Sequence, residues 1–138
     1  VRRIEACLEL RARRDGLPAG ADLIIGHHPH VPQTISVQEN RAVAYSLGNF
    51  WTWKRFNLRG PNGLAPVLDL EVDREGRAVA ARIVSARQSG LGSPRLDPGG
   101  RAARAMAELT ASDFPEIGLQ FDEGGRILWR ASETAEGR

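Results

Sequence analysis

All three histidines of the chain fall within one short stretch, at His27, His28 and His30. Metal sites need such clustering, because a neutral imidazole offers one ring nitrogen to a divalent cation and two or more must reach a common centre. Pro29 stiffens the backbone between His28 and His30 and removes an N–H. The His-x-His spacing lets two rings converge when the intervening residue turns away, and it admits any two of the three as ligands. The plainer reading of the same residues is a loop whose histidines make polar turn contacts. Two or three imidazoles do not fill a catalytic site, which takes three protein ligands and an open position, with bridging carboxylates for a second metal. The nearest acid, Asp22, lies at the other end of an apolar run and reads as a cap or turn residue. A complete hydrolytic centre is therefore not expected from these residues alone.

The elements that must hold this cluster can be read on either side of it. Val1 to Arg14 has the periodicity of an amphipathic helix, with Val1, Ile4, Cys7 and Leu8 on one face, stopped by Asp15-Gly16 and Pro18. Asp22 to Ile25 is too short for a helix and reads as a buried strand that ends directly in Gly26 and the histidines. Open α/β sheets place their sites in this way, in the loops at the C-terminal ends of strands. Thr34 to Gln38 and Ala42 to Leu47 are two further strands joined by the turn-like Glu39-Asn40-Arg41, with Ile35 and Val37 alternating against polar neighbours.

Ala65–Val72 and Val79–Ala86 read as a hairpin around Asp73-Arg74-Glu75-Gly76, with one wet face. Gly90 to Gly100 is the one composition break with linker character. A short helix over Ala102–Leu109 follows, then a hairpin of Ile117–Phe121 and Arg126–Arg130 turning at Asp122 to Gly125, and a frayed end from Ser132 to Arg138.

The chain has 138 residues, 41% hydrophobic and 26% charged, which suits one globular domain. Its net charge is +2, with Arg supplying every basic residue but Lys54. That charge lacks the clustered stripe of a nucleic-acid binder, so no nucleic-acid partner is expected. The single Cys7 excludes an intrachain disulfide and a thiolate metal cluster, and it reads as a buried structural residue. Val1 in place of Met is consistent with an internal residue of a longer protein or with an alternative start.

The stretch Gly20-Ala21-Asp22-Leu23-Ile24-Ile25-Gly26-His27-His28-Pro29-His30-Val31-Pro32-Gln33, followed by Tyr45-Ser46-Leu47-Gly48-Asn49-Phe50, resembles the bacterial CapA family of poly-γ-glutamate capsule-synthesis proteins. The resemblance covers roughly residues 1–88. It implies an α/β fold, the C-terminal part of a calcineurin-like metallophosphatase α/β/β/α sandwich, here mostly β with a leading helix. Residues 1–90 would be the C-terminal portion of that domain. Residues 91–138 would supply the linker, the short helix and a terminal hairpin packing on it. The resemblance also implies divalent metal ions (Mn, Zn or Fe), with His28 and His30 mapping onto the last metal motif by spacing and His27 by its place after Gly26.

The other ligand motifs of the family normally precede this region, so the chain looks like the C-terminal portion of such a protein. If its sheet is shared with a preceding half, the strands around Leu23 and Val43 would have exposed edges. The implied setting is the cell envelope or extracellular face, with an anionic polymer or a phosphorylated small substrate and with capsule-synthesis membrane partners.

Asn49 at a neighbouring strand end would orient a ligand or substrate oxygen, or be a plain turn residue after Gly48. Beyond Phe50 the sequence departs from the family pattern. Trp51-Thr52-Trp53-Lys54-Arg55-Phe56, with Arg59, sets aromatic and basic groups beside the site. Lys54 and Arg55 would suit a polyanionic or phosphorylated substrate. The alternative is a loop whose tryptophans pack on the sheet and whose charges are solvated. Two functions follow: a metal-dependent protein of capsule or poly-γ-glutamate synthesis, and a non-catalytic envelope module of the same fold that binds the polymer. A stand-alone phosphodiesterase needs ligands that these residues lack.

Overall fold

The computed structural model describes residues 4–6, 20–53, 56–89 and 93–129. Their architecture is mixed α/β, mostly strands, with one α-helix among the described residues. The first sheet contains β1 (Ile4–Ala6), β2 (Leu23–Ile25), β3 (Ile35–Gln38) and β4 (Arg41–Ala44) in the order β1-β2-β4-β3. β2 runs parallel to both β1 and β4, and β3 pairs antiparallel with β4. The tight connection between β3 and β4 puts both Glu39 (φ 50°) and Asn40 (φ 59°) in the left-handed region. A two-residue hairpin loop needs this backbone twist at both central positions.

The expected helix over Val1 to Arg14 is overturned at its start, because Ile4–Ala6 is strand β1, in register with Leu23–Ile25. An amphipathic pattern is only a local preference, and pairing along the otherwise open edge of β2 outweighs it. Cys7 and the rest of that segment lie outside the described residues. The strands around Leu23 and Val43 are not edges either. β2 lies between β1 and β4, and β4 between β2 and β3.

The second sheet is antiparallel, in the order β5-β6-β10-β9, with β5 (Val67–Val72), β6 (Ala78–Val84), β9 (Gln120–Phe121) and β10 (Arg126–Leu128). β5 and β6 form the expected hairpin, and its wet face carries Asp69, Glu71 and Arg82. β7 (Ala86–Ser89) and β8 (Ser93–Leu96) make a separate two-stranded ribbon, so strand structure occupies part of the linker-like stretch. β10 closes onto β6 across a tight approach. The Gly125 carbonyl accepts from the Ile83 N–H, and a Cβ at Gly125 (φ 79°) would collide with the Ile83 carbonyl.

The two sheets and helix α1 (Arg101–Asp113) enclose the main core. Ile35 and Ala44 from the first sheet meet Ala81, Ile83 and Ile127 from the second and Ala103 and Met106 from the helix. A second cluster, Ala21, Ile24, Val43 and Tyr45 with Phe114, covers the opposite face of the first sheet. The alternation expected in β3 is therefore only half of its character. Ile35, Ser36 and Val37 are all buried, because this sheet is covered on both faces.

Helix α1 begins without a side-chain cap on Gly100. Two residues outside it satisfy its first turn instead. Ser85 Oγ accepts from the Ala103 N–H at 2.9 Å, and Asp97 accepts from the Arg101 N–H at 3.3 Å and from its guanidinium at 2.8 Å. The Arg101 guanidinium holds the Asp97 carboxyl below its ordinary range against the opposing effect of burial.

Toward its other end α1 is stitched to the sheet. β3 is an edge strand, and the buried Thr110 hydroxyl meets its open side, accepting from the Ile35 N–H at 3.1 Å and reaching the Ile35 carbonyl at 3.4 Å. Replacing that hydroxyl by a methyl of the same shape strands a buried donor. Thr110→Val is therefore expected to lower stability by about 1–3 kcal/mol. Urea unfolding should show this as a lower midpoint with an unchanged slope.

Candidate functional site

The site is assembled where the parallel pair β2–β4 runs out. Hydrogen bonding continues past both strand ends, from Gly26 N–H to Ala44 C=O (2.8 Å) and from Leu47 N–H to Gly26 C=O (2.9 Å). This pins the segment after β2 beside the segment after β4. The turn at 27–30 closes with the His30 N–H on the His27 carbonyl at 3.0 Å, and His30 adopts φ 58°. Facing it, Gly48 sits at φ 63°, and a Cβ there would come within 3.1 Å of both Pro32 and Val31. Glycine is needed at this position by conformation and by space together.

Two of the three imidazoles are held by this second segment. His27 Nδ1 lies 2.9 Å from the Gly48 carbonyl oxygen, and His30 Nδ1 lies 2.7 Å from Asn49 Oδ1. Asn49 is itself oriented, because its Nδ2 donates to the His30 carbonyl at 3.4 Å, which leaves Oδ1 to face the ring. A carbonyl oxygen only accepts, so both histidines carry their proton on Nδ1 when neutral. Each Nε2 then keeps its lone pair, the arrangement in which a second partner fixes ring and tautomer for a metal or a proton.

His28 is exposed on the same turn. Asp22 lies at the start of β2, the end remote from the histidines. The donor chemistry fits a divalent cation, but the ligand number is short. Among the described residues no group of three or more His, Cys, Asp or Glu side chains could hold a metal ion. Any further ligands would have to come from outside those residues.

Of the residues assigned to substrate, Asn49 faces His30, while Lys54 and Arg55 lie outside the described residues. In the structure the amide oxygen of Asn49 meets the His30 ring. The aromatic loop is not packed on the sheet. Trp51 is 71% and Trp53 65% exposed, with Phe50 and Phe56 also substantially exposed, and the Phe56 ring stands 5.8 Å from that of His30. Thr52, between the two tryptophans, points inward and is buried.

Two buried residues complete the site and were missed in the sequence. Ser46 lends its hydroxyl to the Gly48 N–H at 3.0 Å, and Gln88 donates to the Asn49 carbonyl at 2.9 Å. Ser46 stands two residues before Gly48 and could have been suspected as a local turn partner. Gln88 lies 39 positions from Asn49, and nothing local marks it.

Residues 11–52, which contain both strand ends and the histidine turn, match the family of the bacterial capsule synthesis protein PGA_cap. This segment is similar to that of CapA-type capsule-synthesis proteins. It is 52% identical over 42 residues to the PGA biosynthesis protein CapA of Bacillus subtilis (strain 168), covering 27% of this chain and 11% of that protein. It is 59% identical over 32 residues to the capsule biosynthesis protein CapA of Bacillus anthracis, covering 23% of this chain and 8% of that protein. The match thus spans about a tenth of the length of these curated relatives. No helix among the described residues is long and apolar enough to cross a membrane.

Proposed function

We propose that this CapA-type chain serves bacterial capsule or poly-γ-glutamate synthesis at the cell envelope as part of a metal-dependent, metallophosphatase-like centre. The observation that carries this reading is the pair of Nδ1 contacts, His27 to Gly48 and His30 to Asn49, which leave two Nε2 atoms available on one turn. In this reading His30 is the anchored ligand, and its neighbours His27 and His28 complete the contribution of the turn to a shell closed by ligands from elsewhere. A bound divalent cation would supply Lewis acidity toward a phosphoryl or carbonyl oxygen. The residues of this chain hold and aim the imidazoles, and Asn49 keeps the His30 proton on Nδ1.

Titration calorimetry with Mn²⁺ and Zn²⁺ tests the assignment. His30→Ala is expected to give the largest loss of affinity of the three single His→Ala variants, and His28→Ala/His30→Ala to abolish binding. Unchanged affinity in that double variant would falsify the metal reading.

A second reading, a non-catalytic module that binds an anionic envelope polymer, is favoured by the exposure of Trp51 and Trp53 beside the site. Lys54, Arg55 and the exposed Arg59 would supply the charge next to these aromatic faces. On this reading immobilised poly-γ-glutamate retains the protein at low salt even with chelator present, and Trp51→Ala/Trp53→Ala weakens retention. An absence of binding at low salt removes this function.

A further inference from the structure

Gln88 is 4% exposed, stands on β7 in the ribbon beyond the second sheet's main hairpin, and spends its whole side-chain amide on the site loop. Its Oε1 accepts from the Thr52 hydroxyl at 2.7 Å, and its Nε2 donates to the Asn49 carbonyl at 2.9 Å. The Asn49 contact fixes which way the amide faces. Turned over, it would set one carbonyl oxygen against another at Asn49, whereas the Thr52 hydroxyl adapts to either face. Asn49 in turn meets His30 Nδ1 through its side chain. A continuous hydrogen-bonded path therefore runs from Thr52 through Gln88 and Asn49 to one imidazole, while His27 is held separately by the Gly48 carbonyl.

We infer that Gln88 and Thr52 are positioning residues that set the tautomer and aim of His30 through Asn49. His30 lies on an exposed turn, where a free neutral imidazole exchanges its proton between both ring nitrogens. Only an acceptor in a fixed place holds the proton on Nδ1. Asn49 is half-buried with an exposed aromatic loop on one side, so its backbone needs an anchor from the interior. Gln88 supplies that anchor with a directed amide, and the Thr52 hydroxyl tethers the Oε1 end of that amide. The consequence for metal binding rests on the function proposed above, but the effect on the ring does not.

Long-range ¹H–¹⁵N spectra of the metal-free full chain, recorded at about pH 8, read each ring directly. Wild type is expected to show His30 with its proton on Nδ1. Gln88→Leu, Gln88→Glu (which keeps the acceptor for Thr52 but loses the donor) and Thr52→Val should each turn His30 into a mixture of tautomers. His27 should stay unchanged as the internal control for folding, and Thr52→Ser should retain the wild-type spectrum at His30. A His30 signal unmoved in Gln88→Glu and Thr52→Val, with His27 also unmoved, overturns the inference. Should Gln88→Leu disturb both rings through misfolding, these two milder variants decide.

Metal affinity separates the two claims. If the turn binds metal, the variants that mix the His30 tautomers should lose about 10–100-fold in affinity. A changed His30 ring in a protein that binds no metal in any form rejects the metal reading and leaves the positioning role standing.

Discussion

The site depends on the parallel pairing of β2 with β4, and on its continuation beyond the strand ends through the Gly26–Ala44 and Leu47–Gly26 hydrogen bonds. Parallel neighbours end on the same side of a sheet, so the loops that follow them emerge side by side. One loop carries three imidazoles and the other carries carbonyl and amide oxygens. Separately, the first is an exposed turn with rotating rings and the second an irregular strand exit. Held together by two backbone bonds, they become donors with assigned protons and acceptors in fixed places.

The rest of the fold protects that pairing. Burial on both faces of the first sheet, by the inter-sheet core on one side and by Ala21, Tyr45 and Phe114 on the other, makes a slip of β2 or β4 costly. Helix α1 covers the open side of β3 through Thr110 and is itself started by Ser85 and Asp97. The second sheet thus acts on the site at a distance. It positions the helix that closes the first sheet, and it leads into β7, whose Gln88 reaches the loop after Asn49. Hydrogen bonds of this kind are worth little individually, but a buried partner left unpaired is expensive, and that asymmetry gives the site its rigidity.

Much of this was legible in the sequence where a single residue type answers to a single physical need. The apolar run at Leu23-Ile24-Ile25 ending in Gly26, the turn at Glu39-Asn40 and the alternation in Leu68 and Leu70 each gave an element close to its observed place. The histidine cluster was visible because its chemistry is in the side chains themselves. Strand β1 was misread, since the periodicity of residues 1–14 reports a local preference and not the unpaired edge of β2 that claims Ile4–Ala6. The Asn49 contact to His30, and Gln88 behind it, were illegible for another reason. They join residues 19 and 39 positions apart through pairings that only the assembled sheets create. Of the two readings of the aromatic loop, packing of Trp51 and Trp53 on the sheet is the one that fails, because the inward position is taken by Thr52, whose hydroxyl donates to Gln88.

The central claim is that this turn presents imidazole nitrogens to a cation from a strand end built to hold them. X-ray absorption at the zinc edge of the zinc-loaded wild-type protein tests it most directly. The expected spectrum contains the multiple-scattering signature of at least two imidazoles, reduced in His30→Ala. A spectrum of light oxygen or nitrogen neighbours without that signature, or one indifferent to His30→Ala, would contradict it.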